Sequence, residues 1–377
     1  RHLLGTDLLP PELLADVVDC CFQHGEALAE VCPALWPHAD HNHYLMENLG
    51  LLTVACTFPQ LRRSPQWKAH ALHELERCAA AQLPEDGGQI EGCPHYHNGC
   101  VYWFCLAQQT ARQHDLHFSA AYTQRVRKAL AYSLQSFRPS GTSVPWGDSD
   151  ADTSGIAAGL WSYITFDDSN PLRIMSRLAG IEAVKTELCK HLWRIPDIDR
   201  LFAALDQSAV ELPPHVSWQR QLKQVMLRTS WDHAALSLFF AARSPVENGH
   251  AHIDPLGFDF TALGQPLVVD PGRFTYREDA DRRCFKSATM HNTLTVDRRE
   301  PFAYRGSWDF EPQKEATIGR VVEQPGLLAA EAHQRNYAPA LHRRIVALVN
   351  ASILVVVDLL TDLPPASSVE IYYHLDS

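Results

Sequence analysis

Through most of the first 210 residues, apolar side chains recur every three or four positions, the spacing of one buried helix face. PPELLADVVDCCFQHGEAL opens with proline, whose missing N–H costs nothing in a first turn, and then presents Leu13, Leu14, Val17 and Val18. HYLMENLGLLTVACTF repeats the pattern until Pro59 stops it, and SPQWKAHALHELERCAAAQL, CVYWFCLAQQTARQHD and AYTQRVRKALAYSLQSF follow after short polar joints. NPLRIMSRLAGIEAVKTELCKHLW and DIDRLFAAL complete six or seven helices of similar length, which predicts stacked antiparallel hairpins. The two prolines of VELPPHVS end the helical run. Beyond them come strand-like runs with close turns: QVMLRTSWDHAALSLFFAA, FDFTALGQPLVVDPG with Gly264 at its turn, HNTLTVD, ATIGRVVEQ, LLAAEAHQ, RRIVALVNASILVVVDLL and SVEIYYHL. The expectation is an α+β, multidomain chain. An incomplete (α/α) toroid over residues 1–212 precedes an antiparallel β-sandwich over residues 213–377. Helical pattern at Arg1 and a strand at the other end read as cuts through a longer protein, with the sandwich truncated at its C-terminal end.

Composition narrows the function classes. With 377 residues there is room for two cores, and no apolar run is long enough for a transmembrane helix. The formal charge of −11 argues against a general nucleic-acid binder. Between Arg273 and Arg305 the sign reverses, because eight cations meet only five acids. Eight of the ten cysteines lie between Cys20 and Cys105 without a C-x-x-C pair, so free or buried thiols are expected rather than a disulfide framework. No secretion signal opens at Arg1.

Three polar clusters interrupt the apolar patterns. In DHNHYLMENLG, Asn42 and His43 fall at the start of a helix. Asn42 either caps that helix or joins the helix-end N–H groups in receiving a carboxylate, and His43 is a surface histidine or a second helper. In EDGGQIEGCPHYHNG, Tyr96 sits in a polar loop before a helix expected near Gly99. A phenol there either packs or moves a proton. The third cluster joins NGHAHIDPLGFDF, PLVVDPGRFTY and HNTLTVD. His250 and His252 are two apart, Asp270 follows one apolar run, and His291 precedes another. Two histidines and a carboxylate at strand ends suit a divalent zinc ion, or else are satisfied polar groups of a domain interface.

Together these motifs resemble the heparinase II/III-like polysaccharide lyases, which include heparin/heparan-sulfate lyases and alginate lyases. The resemblance runs from about residue 35 to 377 and rests on NHYLMENLGLL, EGCPHYH and the three motifs of the last cluster, with 54 residues from Asn42 to Tyr96. It implies that Asn42 neutralises a uronate carboxylate, Tyr96 is the catalytic tyrosine, His250 is the catalytic histidine, and His43 is a helper. It also implies that His252, Asp270 and His291 hold a structural Zn2+. The partner implied is an anionic polysaccharide or oligosaccharide, cleaved by β-elimination in a periplasmic or secreted setting. Cys93 departs from the small residues usual in the tyrosine motif, and the helical domain is short at its N-terminal side.

The chemistry fits the residue types. Neutralising the carboxylate makes the C5 proton acidic, a base removes it, and an acid protonates the leaving oxygen at C4. Tyr96 serves both roles if proton and leaving group share one side of the ring; otherwise His250 is the base and Tyr96 the acid. His95, His97 and His250 are the neighbours expected to adjust the phenol. Other classes remain: a glycoside hydrolase using Glu47, Glu91 or Asp148, a non-catalytic glycan-binding protein, and a metal-dependent hydrolase.

Overall fold

The computed structural model describes residues 10–35, 37–151, 154–207, 209–243 and 250–376. The helical pattern before Pro10 and the first two residues of NGHAHIDPLGFDF lie outside them. Helices are Pro11–Glu30 (α1), Cys32–Leu35 (α2), Asn42–Thr57 (α3), Ser64–Gln82 (α4), Pro94–Arg112 (α5), Ala120–Ser136 (α6), Gly155–Phe166 (α7), Asn170–Ala179 (α8), Ile181–Cys189 (α9) and Ile198–Leu205 (α10). Strands follow as Val216–Gln219 (β1), Gln224–Arg228 (β2), Ser237–Ala241 (β3), Gly257–Ala262 (β4) and Gln265–Val268 (β5). A short helix, Ala280–Phe285 (α11), precedes Leu294–Val296 (β6), Tyr304–Gly306 (β7) and Asp309–Phe310 (β8). Ala316–Gln324 (β9), Leu327–Gln334 (β10), Leu341–Val349 (β11), Ile353–Thr361 (β12) and Val369–Ile371 (β13) complete the order. Helices plus antiparallel sheets make this an α+β chain.

The chain forms two compact units. One holds residues 1–85 and 99–128, where α1, α3 and α4 pack around Leu45, Leu52, Trp67 and Leu75. Gly25 is needed there, since a Cβ would lie 2.5 Å from the Trp67 ring. The other unit holds residues 86–98 and 129–377. Its strands form a five-stranded antiparallel sheet ordered β1-β2-β3-β4-β5 and a four-stranded one ordered β12-β11-β10-β9. Val225, Leu238 and Phe240 of the first sheet share one apolar core with Ile318, Leu328 and Val346 of the second. Strands β10 and β11 bury alternate residues, as strand geometry requires.

Three local expectations are corrected. The segment from Asn170 to Trp193 is not one helix: Gly180, at φ +89°, ends α8, and α9 begins afresh. The helix expected near Gly99 starts five residues earlier, because Pro94 takes a first-turn position and the His97 N–H bonds to Cys93 O. Tyr96 therefore belongs to a helix, and its neighbours Glu91, Cys93 and His97 are buried. Helix capping at Asn42 falls to its neighbour, as the His41 side chain accepts from the His43 N–H.

All ten cysteines are free. Burial pushes the Cys78 and Cys93 thiols up to about 12. No helix among the described residues is long and apolar enough to cross a membrane.

Within the four-stranded sheet, Arg344 of β11 bonds Asp358 of β12 at 2.7 and 3.0 Å and also donates to Leu256 O and Asn292 O. His342 bonds the same carboxylate at 2.7 Å. Burial would raise the Asp358 pKa, but the bonds from His342 and Arg344 lower it to about 2. A carboxylate more acidic when folded stabilises the fold above its ordinary pKa, and that contribution disappears as pH falls through the folded value. Asp358→Asn should thus cost on the order of 2 kcal/mol at neutral pH. Its thermal midpoint should converge with wild type as pH drops from about 4 toward 2. A pH-independent gap in melting curves would refute this.

Candidate active site

The loop after α6 carries Pro145–Trp146–Gly147–Asp148. Gly147 has φ +64°, and a Cβ there would lie 2.6 Å from His250 O, so only glycine lets the two backbones meet. The contact is a hydrogen bond from the Asp148 N–H to His250 O at 2.8 Å. It places the Asp148 carboxylate, fully buried, among four side chains. Arg282 donates to both oxygens at 2.6 and 2.9 Å, His252 Nε2 lies 2.9 Å from Oδ1, His250 Nδ1 lies 3.0 Å from Oδ2, and Lys286 Nζ stands 3.7 Å away. Burial alone would raise this pKa; the bonds from His250, His252 and Arg282 hold it far below the usual carboxylate range.

The Asp148 carboxylate accepts from His250 Nδ1, and the other ring nitrogen, Nε2, lies 3.5 Å from Glu91 Oε2. Burial lowers the His250 pKa, which favours the neutral imidazole. Tyr96 stacks on this ring with centroids 3.6 Å apart, and its hydroxyl lies 2.9 Å from the Tyr276 hydroxyl. Burial raises the Tyr96 pKa while the bond with Tyr276 opposes the shift, so the phenol keeps its proton near neutral pH. A neutral imidazole and a protonated phenol in ring contact are groups suited to accept and to donate a proton.

Behind them, one ligand atom each from His252, Asp270 and His291 lies within 4.8 Å of the others, and all three residues are buried. His252 spends Nε2 on Asp148 and leaves Nδ1 buried without a hydrogen-bond partner. His291 Nε2 bonds Phe285 O at 3.0 Å, which turns its Nδ1 to Asp270 at 2.8 Å. Two imidazoles oriented by a carboxylate and a carbonyl, plus one carboxylate ligand, fit a zinc ion. Without a metal, burial alone would lower the His291 pKa but Asp270 raises it to about 9, so a bound ion would take the place of the proton His291 shares with Asp270.

Of the residues read from the sequence, the structure brings together Tyr96 and His250, and His252, Asp270 and His291. Asn42 and His43 stand in the other unit, in the first turn of α3, with Asn42 buried. His97 does not tune the phenol. Its Nδ1 accepts from Gln89 N, its Nε2 lies 2.9 Å from Ser133 Oγ, and burial lowers it to about 4. Asp148, weighed earlier as a hydrolase carboxylate, is committed to cations and imidazoles on both oxygens. Tyr276, Arg282 and Lys286 were missed as individual site residues, although Tyr276 lies inside PLVVDPGRFTY and the two cations lie in the basic stretch.

The family model for the heparinase II/III N-terminus matches residues 5–170, and the one for the heparinase II/III-like C-terminal region matches residues 215–377. The chain belongs to the heparinase II/III-like family. Within this family it is 24% identical over 331 residues to a heparin-sulfate lyase of Bacteroides stercoris, covering 85% of this chain and 44% of the relative. A heparin-sulfate lyase of Pedobacter heparinus is 24% identical over 268 residues, covering 68% and 36%. A solved heparinase III aligns with TM-score 0.71 and 19% identity, covering 93% of this chain and 50% of that one. The heparan sulfate lyase HepC of Pedobacter heparinus aligns with TM-score 0.66 and 20% identity, covering 94% and 50%. At these identities the solved structures show the fold. The chain spans half or less of the length of each of these relatives.

Replacing Arg282 by alanine should strip the buried Asp148 charge of its two shortest cationic bonds and cost about 3–5 kcal/mol. Denaturant unfolding reads this directly; an unshifted midpoint would show that the carboxylate does not depend on the guanidinium.

Proposed function

We propose that this chain carries the catalytic core of a polysaccharide lyase that cleaves uronate-containing anionic glycans by β-elimination. The observation that carries the reading is the ring contact between protonated Tyr96 and neutral His250, with Asp148 fixing the imidazole from behind. His250 Nε2 takes the C5 proton, and the C–H electron pair forms the C4=C5 double bond. The C4–O bond breaks with its electrons on oxygen, and Tyr96 supplies the proton to that oxygen. Asn42 enters by motif resemblance as the amide that neutralises the uronate carboxylate, with His43 as helper. The depressed His250 and raised Tyr96 pKa values favour this division of roles over one in which the tyrosine does both.

The same reading takes residues 1–212 as a partial (α/α) toroid and 213–377 as a β-sandwich. Glycosaminoglycans of the heparan sulfate type are its first substrates, given what the curated relatives are named for, with alginate next. A periplasmic or secreted setting goes with such substrates. His252, Asp270 and His291 are the residues that would hold zinc. When bound, the ion supplies a fixed positive charge that ties the segments bearing these ligands together.

Incubation with heparin, heparan sulfate and alginate, followed by ultraviolet detection of unsaturated uronate ends, tests the reaction class. Tyr96→Phe should lower the rate of product formation by about 10²–10⁴-fold while polymer binding persists. A variant close to wild type in rate would show that another group donates the proton. Product ends without unsaturation would make the enzyme a hydrolase, and tight binding with no turnover would make it a glycan-binding protein.

For the metal, His252→Ala should reduce zinc content measured by mass spectrometry and abolish the response of the thermal midpoint to a chelator. A variant that retains zinc at the wild-type stoichiometry would remove His252 from the ligand set.

A further inference from the structure

The turn between β7 and β8 holds Trp308 in a position that packing alone does not explain. The indole is 60% exposed, yet the residue before it is tied down three times. Ser307 N–H bonds Glu278 Oε2 at 3.0 Å, Arg282 Nε donates to Ser307 Oγ at 3.2 Å, and Lys286 Nζ donates to Ser307 O at 3.2 Å. Arg282 and Lys286 are the cations that also surround Asp148, so the indole is anchored to the charge cluster that positions His250. Its ring meets His250 edge-on with centroids 5.1 Å apart. It also stacks nearly parallel to Tyr276, with 15° between the planes and centroids 6.2 Å apart, and Tyr276 is itself 38% exposed. Two partly exposed aromatic rings in nearly parallel planes thus stand beside the proposed base.

We propose that Trp308, with Tyr276, is a stacking platform for the apolar face of a pyranose ring next to the one that reacts. The inference rests on the lyase reading and extends it to a neighbouring sugar. A pyranose is amphipathic: its axial C–H bonds form an apolar face, and its hydroxyl, carboxylate and sulfate groups lie around the rim. The C–H face matches the electron-rich face of an indole, and burying both removes apolar surface from water. The buried Arg282 and Lys286, 5.8 and 5.4 Å from the Trp308 ring centre, pack against the indole, and the partly exposed Arg273, paired with Asp150, lies 4.8 Å from the ring centre of Tyr276. Rigidity matters as much as contact, since a side chain already fixed loses little freedom when the glycan arrives. Trp308 is a positioning residue. It moves no proton, and its contribution is to hold the chain so that the adjacent uronate presents C5 to His250.

Trp308→Ala and Trp308→Phe test this with steady-state kinetics on full-length heparan sulfate and on the shortest oligosaccharide cleaved, together with affinity electrophoresis in gels containing the polymer. With alanine, kcat/KM on polymer should fall about tenfold, carried by KM, and retardation in the gel should weaken in parallel. Phenylalanine should recover most of both, and the shortest substrate should respond least to either change. An alanine variant with wild-type KM and wild-type retardation overturns the platform, and so does a loss that falls on kcat alone. If the wild type forms no unsaturated product, the lyase reading fails, but weaker retardation of the alanine variant would still support the platform. A wild type that neither cleaves nor is retarded overturns both.

Discussion

One buried carboxylate organises the proposed site. Asp148 cannot be ionised in a protein interior without partners, and it has four: two imidazoles, a guanidinium and an ammonium. Each is fixed by the same charge, and each comes from a different stretch than the loop bearing Asp148. The arrangement links functions that would otherwise be independent. The same two oxygens fix His250 against Tyr96 and His252 beside the buried cluster with Asp270 and His291. Through Arg282 and Lys286 they also support the turn carrying Trp308. Gly147 makes this geometry accessible, because the close backbone approach leaves no room for a side chain.

Much of the site was legible in the sequence because chemistry-bearing residues stood out against apolar runs. Tyr96, His250, His252, Asp270 and His291 were all visible in that way, and the structure places them in two adjoining clusters. What the pattern hides is partnership across long separations. Asp148 and Arg282 are 134 residues apart, and nothing local to either marks the pair. Tyr276 likewise looks like an ordinary aromatic until its hydroxyl is seen against that of Tyr96.

The fold was legible to a similar extent and for similar reasons. Strands β2 to β5 and β9 to β12 follow the runs read from the sequence, since turns and alternation are local signals. Helix α7, GIAAGLWSYITF, escaped notice because it is apolar on nearly every side and buried along ten of its twelve residues, which removes the periodicity that identifies a surface helix. The early start of α5 was missed for the opposite reason: polar residues looked like loop, yet Pro94 and Cys93 set a helix terminus there.

The distribution of cysteines has a consequence for the environments this chain tolerates. Thiolates are the nucleophiles that attack oxidants and disulfides, and thiols with pKa values near 12 carry almost none at neutral pH. Cys78 and Cys93 are therefore inert by burial, in a reducing or an oxidising compartment alike. Cross-linking and sulfenic-acid chemistry fall instead to the exposed Cys20, Cys189 and Cys284, which makes surface thiols rather than core ones the measure of how the protein ages in air.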